Sequence, residues 1–319
     1  GNNRLRYDQL AAVYENADPL PELTQMAPNV AEAHLAKNVA KLVPNRRRST
    51  IQVGIGGSLV GIGEALKSKR LRIWSEMGSD WVLPVMSGPK PAAREGTFSF
   101  LHGTTALFRH ADKNPNVRID SSLVVNDTKV IAAQKRMVAI NTALEVDLFG
   151  NTNAERIGDK VISAPGGQPN FMEGAAAAKD GKAILALRST NKNGDSTLVL
   201  GLSGPTTTPG QHVDHVVTEW GATRRMRGMT AGQRAYEIAL VAHPLHREAL
   251  GKDALARGLI SQKQYDKLLH SIVPAIQRAD ESVRVQLADQ ALAKNLLNPV
   301  QHVAIVSTVP AQPSANVAP

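Results

Sequence analysis

The order of elements in this sequence predicts an α/β fold, a mostly parallel sheet flanked by helices and followed by a helical C-terminal extension. Three features predict it. "STIQVGIGG" alternates and then ends in glycines, "SLVGIGEALKSKR" carries helical spacing with a basic end, and "LRIW" reads as the next strand. Strand, glycine loop, helix and strand within about 25 residues make a βαβ unit, which joins parallel strands. The pattern recurs along the chain, and from about Gly251 it gives way to helical spacing alone.

Residues 1–28 are polar, with Pro19 and Pro21 among them, and read as a lead-in from a preceding domain. Asn29 to Val43 is a helix that stops before Pro44. "LRIW" gives out at Ser75-Glu76-Met77-Gly78, so Glu76 is expected on a loop beyond its strand, where α/β sheets usually meet ligands. "GTFSFLHG" is a strand, "TTALFRHAD" a helix, "SLVVND" a strand ending in Asn126-Asp127, "TKVIAAQKR" a helix and "MVAINTALEVDL" a strand. "KAILALRST", "STLVLGL" and "HVDHVVTEW" supply further strands, and "TAGQRAYEIALVAH" is a helix closed by Pro244. Residues 251–298 form the helical extension, and 299–319 read as a flexible tail.

Composition narrows the function classes. With 319 residues, 42% of them hydrophobic and 20% charged, the chain is globular rather than disordered. No run approaches the ~18 apolar residues of a membrane span. The opening "GNNRLRYDQ" has no signal-peptide pattern, so no membrane partner and a cytoplasmic location are expected. The first residue is Gly rather than Met, as in a fragment or a processed product. The absence of cysteine excludes disulfides, thiolate zinc sites and a cysteine nucleophile. The formal charge is +9, with Arg46-Arg47-Arg48 and Arg224-Arg225-x-Arg227 as its densest clusters. Neither is interleaved with aromatic residues, so both read as solvated basic surface and no nucleic-acid partner is expected.

Two glycine stretches and one carboxylate carry the chemistry. "VGIGGSLVG" (Val53 to Gly61) departs from the G-x-G-x-x-G fingerprint, because Leu59 stands where the third glycine belongs. Its turn leaves N–H groups free at a helix start, either for a phosphate or developing oxyanion or simply as a tight turn. "SAPGGQPNFMEGA" is a second glycine pair between a strand and a helix. If both loops converge with Glu76 on one face of the sheet, the carboxylate can attack an acyl group while the amides hold the charged oxygen. Glu145 is a rival, but it alternates with Asp147 along a strand and reads as structural. His212 and His215 stand three apart on a strand, on opposite faces, and His243 reads as a helix-end residue, so no metal site is expected. Trp74 and Trp81 flank the Glu76 segment as pocket wall or core.

In order and spacing, "IQVGIGG", "WSEMGSD", "INTALEVDLFGNTNAE", "GGQPNF", "ALRST", "VDHVVTEWGAT" and "RAYEIALVAHPLHRE" closely resemble the acetyl-CoA hydrolase/transferase family, which includes 4-hydroxybutyrate and acetate CoA-transferases. The resemblance runs from about Pro19 to Glu248, and it implies a class I CoA-transferase-like domain at 29–250. It implies that Glu76 is the nucleophile, that the amides of Ile55 and Gly167 are oxyanion donors and that Asn126 stands beside the glutamate. Gly54, Gly56, Gly57, Gly166, Gln168 and Glu219 fall in the segments implied to meet coenzyme A. Trp81, Asn170, Glu173, Thr197 and Gly210 depart from the family pattern. The implied reaction is acyl-CoA:carboxylate CoA transfer or acetyl-CoA hydrolysis through a covalent glutamyl-CoA thioester. Coenzyme A would be a co-substrate, with no permanently bound cofactor, and the partners an acyl-CoA and a small carboxylate. An N-terminal domain of the same family and a homodimeric assembly fit the same pattern. The alternative is a decayed module that keeps the fold and binds coenzyme A or a partner domain.

Overall fold

The computed structural model describes residues 6–23, 26–45, 49–59 and 61–309. In chain order its elements begin with α1 (Val30–Leu42), β1 (Ser49–Val53), α2 (Ile62–Leu66), β2 (Leu71–Gly78), α3 (Val82–Met86), β3 (Ala93–Leu101) and α4 (Thr105–Ala111). Then come β4 (Val117–Ile119), α5 (Ser122–Val125), α6 (Thr128–Ala132), β5 (Val138–Asn141), β6 (Glu145–Asp147) and β7 (Thr152–Asn153). A hairpin of β8 (Arg156–Ile157) and β9 (Lys160–Val161) leads to α7 (Gln168–Ala177), β10 (Lys182–Ala186), β11 (Leu198–Val199), β12 (His215–Thr218) and β13 (Gly221–Ala222). The chain continues through helices α8 (Ala231–Val241), α9 (Pro244–Ala256), α10 (Gln262–His270), α11 (Ile272–Gln277), α12 (Glu281–Ala293) and α13 (Pro299–Val306).

Among the described residues the main sheet has eight strands in the order β13-β12-β10-β5-β1-β2-β3-β4. All neighbours are parallel except β12 and β13. β1 and β5 are buried along their whole length, polar residues such as Gln52 and Asn141 included, as befits strands covered on both faces. From β1 the chain builds outward through β2, β3 and β4, then returns to β1's other side with β5 and continues through β10 and β12. The order therefore reverses between β1 and β5. The C-terminal ends at such a switch point form a crevice open to ligands.

One apolar layer packs Leu35, Val39, Ile62, Leu66, Val82 and Leu107 of α1 to α4 against Ile51, Val53, Ile73 and Ile140 of the sheet. The other packs Ile131, Phe171, Met172 and Ile238 against Ala139, Leu185 and Trp74. Trp74 lies on the second face, so Glu76, two residues on, points the same way. A third cluster joins α11, α12 and α13 through Ile276, Leu287, Ala291 and Ile305, with Trp220 and Leu245 packed against it.

Several expectations need correction. The strand expected to end at Trp74 continues through Glu76 to Gly78, because β3 pairs with it as far as Gly78↔Leu101. Glu76 is thus a strand residue. The helix expected from Ser58 is split, since Gly61 at φ 82° breaks it into a turn at Gly57–Leu59 and the short α2. "SLVVND" is helical: Ser121 caps Leu123 N at 3.2 Å, Val125 is buried, and Leu123 stays 86% exposed, a pattern no buried strand shows. "MVAINTALEVDL" divides between β5 of the main sheet and β6 of a separate three-stranded sheet, where "STLVLGL" contributes only β11. His212 lies in a 3₁₀ turn rather than on β12. The segment read as tail begins with α13, which Asn298 caps at Gln301 N and Ile305 anchors by complete burial. Residues 310–319 and Arg46-Arg47-Arg48 lie outside the described residues.

His243 heads α9, its Nδ1 accepting from Leu245 N, with its ring edge-on to Trp220 at 5.2 Å. Burial, with the positive charges of His246, Arg247 and Lys294 behind it, lowers its pKa to about 4. The folded protein therefore prefers the neutral ring. The stability this supplies is complete above the unfolded value near 6.5 and is lost as pH falls towards 4. Urea unfolding at pH 7, 5.5 and 4.5 should lose up to about 1.4 kcal/mol per pH unit from this group, and His243→Asn, which keeps a cap, should flatten that slope.

Candidate functional site

Glu76 stands near the C-terminal end of β2, half-buried. Its Oε1 accepts from Asn126 Nδ2 at 2.7 Å, and its Oε2 accepts from the Gly167 backbone N–H at 2.9 Å. Each donor is held by its own local structure. Asn126 occupies the corner between α5 and α6, where its N–H donates to Ser122 O and Asp127 Oδ1 caps Lys129 N and Val130 N at 2.8 and 2.9 Å. Asn126 Oδ1 is buried and has no hydrogen-bond partner.

Gly167 is the residue before α7, so its N–H belongs to the positive end of a ten-residue helix facing the carboxylate. A Cβ on Gly167 would lie 2.6 Å from Glu76 Oε2 and 2.7 Å from Asn126 Nδ2, which leaves no room for a side chain. Its φ of −82° is open to any residue, so contact with the carboxylate is the constraint. Gly166 before it sits at φ 54° and makes the left-handed turn that aims the N–H.

Ile55 follows β1, next to β2. The register Ile51↔Ile73 carried forward sets Gly54 and Ile55 level with Glu76 and Met77, and Ser75 Oγ donates to Val53 O at 3.3 Å in that register. Gly54 is therefore the turn residue level with Glu76 on the adjoining strand exit, and Ile55 follows it, level with Met77. Gly56 at φ 142° turns the chain, with Gly57 opening the following 3₁₀ turn.

The remaining expected site residues bond groups other than Glu76. Gln168 Nε2 donates to Thr208 Oγ1 at 3.3 Å. Glu219 accepts from Ser189 N and Oγ at 2.9 and 2.6 Å, tying the exits of β12 and β10 together. It is on the same edge as Glu76, but four strand positions away, about 19 Å. Glu145 accepts from Ser203 N and Oγ, both at 2.8 Å, and Asp147 from Phe149 N and Asn151 N. These two carboxylates brace turns and do not reach Glu76. Trp81 is buried at the start of α3, and Trp74 Nε1 donates to Val125 O, so both are core residues. Gly210, too, has no space for a side chain, since its Cβ would meet Phe149 O at 2.4 Å.

Sequence reading missed one wall of the site. A cavity of about 510 Å³ is lined by Glu76, Ser99, Phe100, Ile119, Asp120, Ser121 and Ser122. The β2/β3 register places Ser99 beside Glu76, and its hydroxyl is buried without a partner. Asp120 is 4% exposed and pairs with Arg118 at 2.8 Å. The signal was the double serine of "DSSLVVND", which reads as a helix start rather than a strand. Among the described residues, no group of three or more His, Asp or Glu could hold a metal ion, and no helix is long and apolar enough to cross a membrane.

Residues 103–254 match the family described as the acetyl-CoA hydrolase/transferase C-terminal domain. The 4-hydroxybutyrate coenzyme A transferase of Clostridium kluyveri is 35% identical over 261 residues, covering 78% of this chain and 60% of that protein. RipA from Yersinia pestis superposes with a TM-score of 0.74 at 28% identity, over 80% of this chain and 60% of that one. A 4-hydroxybutyrate CoA-transferase from Porphyromonas gingivalis gives a TM-score of 0.69 at 30% identity, over 81% and 63%. This chain thus spans about three fifths of the length of the relatives it matches.

Gly167→Ala should leave the thermal midpoint within about 3 °C of the parent, since it removes no buried group and its φ is compatible. It should displace the Glu76 carboxylate, and a crystal structure of the variant with both Glu76 contacts intact would contradict this account.

Proposed function

The chain belongs to the acetyl-CoA hydrolase/transferase family, and from that premise we propose that it carries the covalent half-site of an acyl-CoA:carboxylate CoA-transferase, with Glu76 as nucleophile. One observation carries the reading: a carboxylate at the C-terminal end of a parallel strand, gripped by an amide side chain and a helix-start N–H beside an open cavity.

The chemistry follows from that arrangement. Glu76 attacks the thioester carbonyl, and the tetrahedral oxygen takes negative charge. That oxygen is offered the N–H groups of the Gly54–Gly57 turn, the first of them Ile55. Collapse breaks the C–S bond and gives an acyl-glutamyl anhydride and CoA thiolate. The thiolate attacks the Glu76 carbonyl, releasing the carboxylate product and leaving a glutamyl-CoA thioester. In this step the charge develops on the Glu76 oxygens, where Asn126 Nδ2 and Gly167 N–H already donate. An incoming carboxylate then reverses the sequence and leaves as a new acyl-CoA. Donors of this kind contribute about 10² to 10³ in rate each. Water in place of the incoming acid makes the same site a hydrolase. We assign the cavity beside Glu76 to the acyl or carboxylate group, and the outer wall to a further domain of the kind its longer relatives have room for.

Incubation with acetyl-CoA, borohydride reduction and intact-mass mapping should place a modification on Glu76 that is absent from Glu76→Ala. Turnover should fall about 10⁴-fold or more in that variant and about 10²-fold in Asn126→Ala, with folding retained in both. A modification elsewhere, or none in this chain or in a longer product that contains it, would sink the assignment.

A further inference from the structure

Beneath the Gly54–Gly57 turn lies a pair of buried amides that no catalytic step uses. Gln52 of β1 and Asn141 of β5 are each 3% exposed. Gln52 Nε2 donates to Asn141 Oδ1 and Asn141 Nδ2 donates to Gln52 Oε1, both at 3.0 Å. Their flanking neighbours Ile51, Val53 and Ile140 are fully buried and apolar. Two apolar residues of similar shape would serve stability about as well, because a reciprocal pair recovers little more than its own desolvation cost. Direction is what an amide pair adds: each side chain fixes the other's terminal rotation.

The fixed atom faces the turn. Asn141 Oδ1 lies 2.5 Å from the place where a Cβ on Gly54 would stand. The next residue, Thr142, sets its Cγ2 2.6 Å from the corresponding place on Gly56. Gly54 N also donates to Ile140 O at 2.8 Å. Asn141 at the end of β5 and Thr142 just after it therefore mould both glycines that bracket Ile55, at the switch point between β1 and β5.

We propose that the Gln52–Asn141 amide pair, together with Thr142, is a positioning device that holds the Gly54–Gly57 turn so that the Ile55 N–H stands at the strand exit beside Glu76. The catalytic part of this rests on the Glu76 reading, whereas the effect on the turn does not. These residues touch no reacting atom and act through the turn alone. A misplacement of about 1 Å in a group that stabilises a transition state costs about 10²-fold in rate, so the device should show in kcat rather than KM.

The test compares the parent chain with Gln52→Met/Asn141→Leu, which replaces both amides at similar shape, and with Thr142→Ser, which removes only the methyl on Gly56. Three properties are measured: thermal midpoint, hydrogen exchange of the bonded amides of Gly54 and Leu59, and CoA transfer from acetyl-CoA to butyrate. The double variant should exchange those two amides about 10-fold faster or more, with β2 amides unchanged, and lose about 10- to 100-fold in kcat with KM within about 2-fold. Thr142→Ser should move in the same direction by a smaller factor, and it decides the matter alone if the double variant fails to fold. Unchanged exchange at Gly54 and Leu59 in a folded variant overturns the proposal, whatever the activity. Faster exchange with parental kcat overturns its catalytic part. If neither the parent chain nor a longer product that contains it transfers CoA, the Glu76 reading fails, and the exchange rates still decide whether the pair holds the turn.

Discussion

The two hydrogen bonds on Glu76 set the terms for the rest of the molecule. Holding one carboxylate between Asn126 Nδ2 and Gly167 N–H requires three segments separated by 50 and 91 residues to end at one point. The parallel sheet makes that possible, because all its parallel strands deliver their C-terminal ends to the same edge. The α5–α6 corner and the start of α7 then descend on that edge from one face. The glycine at 167 follows from the contact itself, since any side chain there would occupy the space of the carboxylate. A strand position for Glu76 follows as well: a carboxylate on a paired strand has far less freedom than one on a loop.

Other carboxylates on the chain are as well bonded, and comparing them shows what sets Glu76 apart. Asp147 accepts from backbone N–H groups of its own turn, whereas Glu219 and Glu145 tie neighbouring loops together through Ser189 and Ser203. Glu76 closes no turn. One side of it borders a cavity, with a buried hydroxyl on Ser99 that has no hydrogen-bond partner. Its partner Asn126 likewise leaves Oδ1 unpaired. Buried polar atoms without a partner call for an explanation, and these two flank the same carboxylate.

Much of this was legible in the sequence, and the failures share a cause. The alternation in "STIQVGIGG" and the apolar spacing of α1 and α8 belong to elements whose own patterns decide them. The resemblance pointed to Glu76, Asn126 and Gly167, which the fold brings into hydrogen-bond contact. Where the reading slipped, tertiary pairing overrode local pattern. Ser75 to Gly78 looks like loop sequence, yet β3 lies alongside to pair with it. "SLVVND" has β-branched residues, yet serine and aspartate caps make two short helices of its surroundings. Ser99 and Asp120 could not be placed beside Glu76 without the register of β2, β3 and β4.

Register also explains why the amides of Gln52 and Asn141 escaped notice as a pair. They are 89 residues apart, and nothing in "TIQVG" or "AINTA" marks either as buried. Only the return of the chain to the far side of β1 brings them together, and that return is what creates the switch point. The reversal that opens a crevice for a ligand thus also sets β5 against β1, where its last side chains can shape the turn at the crevice floor. On this fold, the strand reversal and the packing of Asn141 and Thr142 against the Gly54–Gly57 turn have one topological origin.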